Sequence, residues 1–369
     1  MRLLHIADVH LDRPFARLDR ERGDRDRARL RRTFVRCLDR ARELEVDTVT
    51  IGGDLWEDEH VSPDTRRFVS NELGELDCPA LMICGNHDPN LPGGNYARTA
   101  WPNNVHLFPS ETLAEYPLDE EVSIWGVSWG GGQLSAKPLL QQPPPLDLDR
   151  ANLLLLHGTA ESSGEDGHCP FNGATVREAG FAHCLAGHIH AAETNADYTY
   201  PGSPEPLGWG ELGRHCCAVV EVTDGHIEVR LEDVGEHRYE ILEVDCEGAE
   251  HSAEVAERLA AALPENERGE LHLRAMLGGE VDPDCWIAPS ELRELHAERF
   301  AELAVEDHTH PGHDLEALAS KPSASGHFVR RMQEQIAAEP EEGRRQLLES
   351  ALRSGLRALD GQERIVDVG

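Results

Sequence analysis

Five short polar motifs follow one another along the chain: Asp8-Val9-His10, Gly53-Asp54, Gly85-Asn86-His87-Asp88, His157-Gly158 and Gly187-His188-Ile189-His190. Asp8, Asp54 and Asn86 offer hard oxygens, while His10, His157, His188 and His190 offer imidazole nitrogens, and no thiolate is among them. That mixture suits Mn, Fe or Zn better than Ca, Mg or a cysteine-held structural zinc. Asp8 and His10 are separated by one residue, as are His188 and His190, so both side chains of each turn can reach one ion. The spacing fits a catalytic metal pair rather than a Ser-His-Asp arrangement. Two divalent ions about 3.5 to 4 Å apart acidify a water and clamp phosphoryl oxygens during in-line attack.

The elements that must position these groups are legible beside them. Each motif comes directly after a short apolar run of strand type, at 3–7, 46–51, 80–84, 153–156 and 184–186. The polar groups therefore fall where strands end, which is where α/β sheets hold ligands. One such motif alone carries no weight, since His188 and His190 fit a solvated loop and Asn86 a turn. Five in order, each behind a strand signal, do not arise that way.

The chain resembles the calcineurin-like metallophosphoesterases, and more narrowly the SbcD- and YhaO-like DNA repair exonucleases. The narrower likeness rests on the run Asp8 to Phe15, on Gly53-Asp54-Leu55-Trp56, and on Tyr200-Pro201-Gly202-Ser203-Pro204-Glu205-Pro206 continuing to Glu211, ahead of an apolar strand. Serine/threonine phosphatases of the superfamily would show Gly-Asp-x-x-Asp-Arg-Gly and Gly-Asn-His-Glu, whereas Gly53 and Gly85 begin Gly-Asp-Leu-Trp-Glu-Asp and Gly-Asn-His-Asp. The likeness implies a four-layer α/β sandwich of two facing mixed sheets flanked by helices, with a small α+β capping domain and a helical C-terminal tail. It implies that Asp8, His10 and His190 hold one ion and Asn86, His157 and His188 the other, with Asp54 shared. It implies two divalent ions, Mn first and Fe, Zn, Mg or Co as alternatives. His87 is implied to act on the transition state or the departing oxygen, with Asp88 as its orienting partner. Where many SbcD-type nucleases carry a second histidine, three residues after the shared aspartate, this chain has Glu57.

The resemblance also names partners: DNA, a long coiled-coil ATPase of the SMC-like kind, and a second copy of the chain as a homodimer. The activity it implies is hydrolysis of DNA phosphodiesters in repair; hydrolysis of nucleotides or other small phosphodiesters, or a scaffold of weak activity, are the alternatives.

Charge pulls the other way. With 69 acidic residues against 35 basic ones the net charge is -34, which repels a polyanion. Lys137 and Lys321 are the only lysines. An acidic, lysine-poor surface suits concentrated salt, where at 1 M repulsion is screened within about 3 Å. The sign reverses locally: residues 12–42 hold 12 arginines against six acids. Arg13 and Arg17 there, with Glu57, are the candidate substrate contacts. The competing reading of that stretch is an amphipathic helix with Leu30, Phe34, Val35 and Leu38 turned inward and its arginines paired or solvated.

The domain boundaries are expected at 1–235 for the phosphoesterase, 236–310 for the cap and 311–369 for the tail. No run of 18 apolar residues and no charged-then-apolar leader occurs, so a cytoplasmic protein without a membrane span is expected. Nine cysteines without C-x-x-C spacing read as buried reduced thiols. Asp224-Gly225 between two alternating runs predicts a hairpin. Residues 130–149 read as an irregular excursion, His168 as a surface histidine, and the cluster from His308 to His313 as a flexible hinge. In the tail, Leu347, Leu348, Ala351, Leu352, Leu356 and Leu359 form one apolar stripe for docking on a partner or on the chain's own body.

Overall fold

The computed structural model describes residues 1–359 except 17, 111, 133, 135, 162–167, 265–269 and 313–314. Arg17 and His313 thus lie outside the described residues.

Two six-stranded sheets face each other. The first runs His226–Asp233, Cys216–Thr223, Arg2–Ile6, Thr48–Gly52, Ala80–Ile83, Val105–Leu107, the last four parallel to one another and Cys216–Thr223 antiparallel to both of its neighbours. The second runs Ala114–Pro117, Val122–Gly126, Ala151–His157, His183–Gly187, Tyr198–Tyr200, Glu193–Thr194, parallel except for its outer strands. Alternation sorts the side chains of each strand into two cores. Leu3, Leu81, Ile83, Leu153, Leu155 and Leu185 fill the space between the sheets. Leu4, Ile6, Val49 and Ile51 turn outward onto Leu30, Phe34 and Leu38 of the helix Arg20–Glu43. Leu154 and Leu156 turn outward onto Val176 and Phe181 on the far side. Strands buried on both faces need continuous apolar runs, which is why each motif was preceded by one. The expected sandwich is the observed one.

The hairpin turns at Asp224 and Gly225, both with positive φ (50° and 75°), as a two-residue primed turn requires. Trp125 and Trp129 are buried. Two expectations are corrected. Residues 130–149 are not wholly irregular, because the helix Ala136–Gln141 forms there with Pro138 in its first turn, where no N–H is needed. The segment at His308 is not a hinge: His310–Pro311 pairs in parallel with Glu280–Val281.

Contacts divide the chain into two compact units, the first made of the described residues of Met1–Ile241, Asn266–Leu273 and Glu298–Glu302 and the second of the rest. In the second, the helix Ser252–Ala262 buries Val255 and Leu259. The tail forms Leu315–Ser320, Ala324–Ala338 and Glu342–Leu359. The Ser/Pro/Gly break proves to be a cap, with the Ser323 side chain accepting from the Gly326 N–H. The apolar stripe packs on the chain's own body: Leu352 and Leu356 are buried with Val329 and Met332, and Leu347 and Leu359 stay exposed. All nine cysteines are free. Among the described residues no helix is long and apolar enough to cross a membrane.

Candidate metal centre

The two sheets approach closely at the ends of Thr48–Gly52 and His183–Gly187. A first side-chain carbon on Gly187 would lie 2.2 Å from the Gly52 carbonyl oxygen, so no larger residue fits. This approach brings Gly53-Asp54 and His188, 134 residues apart in sequence, to one place. Beyond the strand ends the backbone is bent hard: Asp8, His10, Asp54 and His188 all have positive φ, at 54°, 49°, 50° and 102°. Non-glycine residues there cost about 1–3 kcal/mol each and mark sites whose geometry the surrounding structure enforces.

All seven expected ligands converge. Their atoms form two groups, Asp8 with His10 and His190, and Asp54 with His157 and His188. Asp54 Oδ2 lies between them, 3.7 Å from His10 Nε2 and 3.4 Å from His157 Nε2. Asn86 Oδ1 is 3.0 Å from both His157 Nε2 and His188 Nδ1. Asp8 receives the His188 N–H on both oxygens at 3.0 Å.

The outward hydrogen bonds fix which nitrogens face in. His10 Nδ1 donates to Glu57 Oε1 (3.0 Å), His190 Nδ1 to Glu211 Oε1 (2.7 Å) and His157 Nδ1 to the Gly52 carbonyl (2.8 Å). With those protons committed, a neutral ring turns its Nε2 lone pair inward, and the Nε2 atoms of His10 and His190 meet at 3.2 Å. Nitrogens and carboxylate oxygens facing one another this closely need positive charge between them, which protons on the rings or a bound cation would supply. The donor set therefore fits divalent ions. Burial pushes the Asp54 carboxyl up, but His157 and His10 outweigh it and hold it well below the ordinary carboxylate range.

His87 stands half-exposed at the edge of this group, its ring 4.9 Å from that of His10. Its partner is not Asp88. Asp88 is fully buried and turns the other way, accepting from the N–H groups of Gly85 (2.6 Å), Asp54 (3.1 Å) and Leu55 (2.7 Å) and from the Tyr96 hydroxyl (2.6 Å). It ties the second motif to the third. Glu57 holds His87 instead, with His87 Nδ1 donating to Glu57 Oε2 at 2.9 Å. That hydrogen bond raises the pKa of His87.

Arg13 reaches the same carboxylate, at 3.3 Å from Glu57 Oε1. The other arginines of the helix largely follow the amphipathic reading: Arg29 pairs with Glu205 and Asp26, Arg31 with Asp64, Arg32 with Glu236, and Arg40 with Glu232. Arg25 makes no ion pair among the described residues, and with Arg22, Arg29, Arg32, His237 and His272 it lines a cleft of about 530 Å³. Glu211 was passed over in the sequence, although its place at the end of the Pro-Gly-Ser-Pro stretch was on view. His168 is exposed, as expected, and its ring stacks on that of His188.

Two sheets whose strand ends gather two neighbouring groups of candidate metal ligands, with Asp54 Oδ2 between them, define a metallophosphoesterase architecture. The chain belongs to the calcineurin-like phosphoesterase family, whose model matches residues 1–192. It is 29% identical over 264 residues to the uncharacterized metallophosphoesterase YhaO of Bacillus subtilis, covering 67% of this chain but only 64% of YhaO. It is 25% identical over 338 residues to the DNA double-strand break repair protein Mre11 of Methanopyrus kandleri, covering 83% of this chain and 70% of that protein. A solved structure of TT1561 of Thermus thermophilus is 14% identical, with a TM-score of 0.40 over 63% of this chain and 98% of that one.

Proposed function

We propose that the chain is a metal-dependent phosphodiesterase that cleaves DNA, the nuclease of a repair complex, with Mn as its preferred metal. The observation that carries the phosphodiesterase reading is the pair of candidate ligand groups with Asp54 Oδ2 between them and half-exposed His87 at their edge. Asp8, His10 and His190 would hold one ion and Asn86, His157 and His188 the other. When bound, two such ions supply Lewis-acid charge for a phosphoryl group and a water acidified toward neutrality.

The chain's own residues do the rest. Glu57 fixes the His87 ring with Nδ1 as donor, so Nε2 is the nitrogen that can deliver a proton to a departing sugar oxygen. Glu211 and Glu57 set the rotation of His190 and His10 through their Nδ1 atoms. Arg13, tied to Glu57, is the residue we propose to contact a phosphate neighbouring the scissile one.

DNA as the substrate is supported by the Mre11 match, which spans 338 residues and so runs well past the 192 of the family model. The arginine-lined cleft supports it further. A coiled-coil ATPase of the SMC-like kind is the partner we propose, with exposed Leu347 and Leu359 as its contact. The second reading, a small-molecule phosphodiesterase, is favoured by the net charge of -34 and by the pairing of most helix arginines with acids.

The deciding experiment is hydrolysis of end-labelled duplex and single-stranded DNA with Mn at low and about 1 M KCl, where the screening length is about 3 Å. Wild type is compared with Asp54→Ala and His87→Ala. Laddered products lost in both variants support the nuclease. Turnover of bis(p-nitrophenyl) phosphate without DNA cleavage at either salt moves the assignment to the small-molecule reading.

A further inference from the structure

The segment that leaves His157 and the segment 168–171 lie side by side, with Ala160 and Phe171 bridged in parallel. Thr159 N–H donates to the His168 carbonyl (3.0 Å), Phe171 N–H to the Thr159 carbonyl (3.0 Å) and Glu161 N–H to the Phe171 carbonyl (2.8 Å). The Tyr200 hydroxyl clasps the first segment, donating to the Gly158 carbonyl (2.6 Å) and accepting from Ala160 N–H (2.8 Å). A first side-chain carbon on Gly158 would stand 2.2 Å from the Cys169 carbonyl oxygen, so glycine after the ligand His157 is what lets the returning segment lie so close. Cys169 and Phe171 are buried, anchoring the return from below.

This anchoring fixes His168. Its exposed imidazole stacks on the ring of His188, centroids 4.8 Å apart and planes 23° apart, with the Trp129 ring 6.4 Å away. His87 holds the corresponding place on the other ligand group, its ring 4.9 Å from that of His10. Two exposed imidazoles thus flank the centre, one beside each set of ligands. A phosphate monoester has one ester oxygen to accommodate, whereas a phosphodiester has two, on different corners of the phosphorus tetrahedron.

We propose that His168 is a substrate-contacting, specificity-determining residue, its ring N–H donating to the retained ester side of a phosphodiester while His87 attends the departing oxygen. The proposal rests on the phosphodiesterase reading of the site. It does not require the substrate to be DNA. His168 supplies no ligand to either group, because His188 faces Asn86 through Nδ1 and His168 reaches that ligand only by ring stacking.

The test uses the full chain loaded with Mn, with His168→Ala and His168→Gln, the latter keeping a side-chain N–H donor. Calorimetry measures Mn affinity, then the affinity for diphenyl phosphate and for phenyl phosphate as diester and monoester probes. Steady-state kinetics follow bis(p-nitrophenyl) phosphate and p-nitrophenyl phosphate. Expected for His168→Ala is a roughly tenfold loss in diester affinity and a matching rise in diester KM, with kcat and the monoester values within about twofold, as loss of one hydrogen bond to an anionic ligand gives. Mn affinity stays unchanged, and His168→Gln recovers most of the diester loss. Equal losses for both esters, a fall in Mn affinity, or no change in diester binding overturns the proposal. If wild type binds diphenyl phosphate through His168 yet hydrolyses neither chromogenic ester, the contact stands and the phosphodiesterase reading fails.

Discussion

Glu57 Oε2 lies 2.9 Å from His87 Nδ1 while its other oxygen receives His10 Nδ1 at 3.0 Å, so one carboxylate orients both the proposed proton donor and a proposed metal ligand. Burial works against its charge, but the two histidines outweigh that and keep it ionised well below the ordinary carboxylate range. In the sequence, Glu57 stood as the residue that replaces a histidine and as a possible substrate contact. Its geometry gives it a supporting role for two histidines instead.

Replacing Glu57 by Ala is therefore expected to act in two ways. Loss of His87 orientation lowers turnover of substrates with poor leaving groups by roughly 10²-fold, the lower end of what acid catalysis supplies. p-Nitrophenyl esters, whose leaving group needs no proton, should lose much less. Loss of the His10 partner weakens Mn binding by roughly 10- to 100-fold. Comparing kcat for an oligonucleotide and for bis(p-nitrophenyl) phosphate at saturating Mn separates the two effects, and equal losses on both substrates would count against an acid role for His87.

Glu211 supports the opposite ligand. Its Oε1 receives His190 Nδ1 at 2.7 Å, and its Oε2 accepts from the Ser203 hydroxyl (2.9 Å) and the Leu207 N–H (3.0 Å). Glu211→Gln should lower metal affinity by roughly 10- to 100-fold with little change in Tm of the metal-free protein. Calorimetric Mn titration and a thermal melt in EDTA check both halves.

Much of this arrangement was legible because ligands cluster in short motifs behind apolar strands, as Asp8 and His10 do behind residues 3–7. What escaped were side-chain partnerships between distant positions. Asp88 looked like the partner of His87 because it is the next residue, yet successive side chains leave the backbone on different sides, and Asp88 goes into the core while His87 faces out. Its true partner is 30 positions earlier. The arginine-rich helix likewise looked cationic because its counter-charges, Glu205, Glu232 and Glu236, come from about 200 residues downstream. His168 is exposed, as its polar neighbours implied, but that its ring stacks on His188 follows only from the return of the chain beside Gly158.

Asp88 has a clear signature of its own. Removing its carboxylate leaves the buried N–H groups of Gly85, Asp54 and Leu55 and the Tyr96 hydroxyl without this acceptor. Each orphaned buried group costs about 1–3 kcal/mol, so Asp88→Ala should destabilise the metal-free protein by about 3 kcal/mol or more. Urea unfolding in EDTA measures this. A variant as stable as wild type but catalytically dead would restore Asp88 as the partner of His87.

His5 predicts how stability follows pH. It is fully buried between the sheets, its Nδ1 3.0 Å from Thr50 Oγ1 and its Nε2 3.1 Å from the Ala186 carbonyl. Burial pulls its pKa down from 6.5 to about 4, with the two hydrogen bonds and His183 as smaller influences. The unfolded chain therefore takes up a proton between those values while the native state does not, so stability rises with pH in that window. The contribution is complete above about pH 6.5 and is lost progressively as pH falls toward 4, amounting to about 3 kcal/mol. Other buried histidines add to the same limb, so the informative quantity is the difference between wild type and His5→Gln. Urea midpoints in EDTA at intervals from pH 7 to pH 4 should show a shallower acid limb in the variant, even where its stability at pH 7 is lower. Parallel curves would mean that His5 is protonated in the native state, and the inter-sheet hydrogen bonds would then have to be reassigned around an imidazolium.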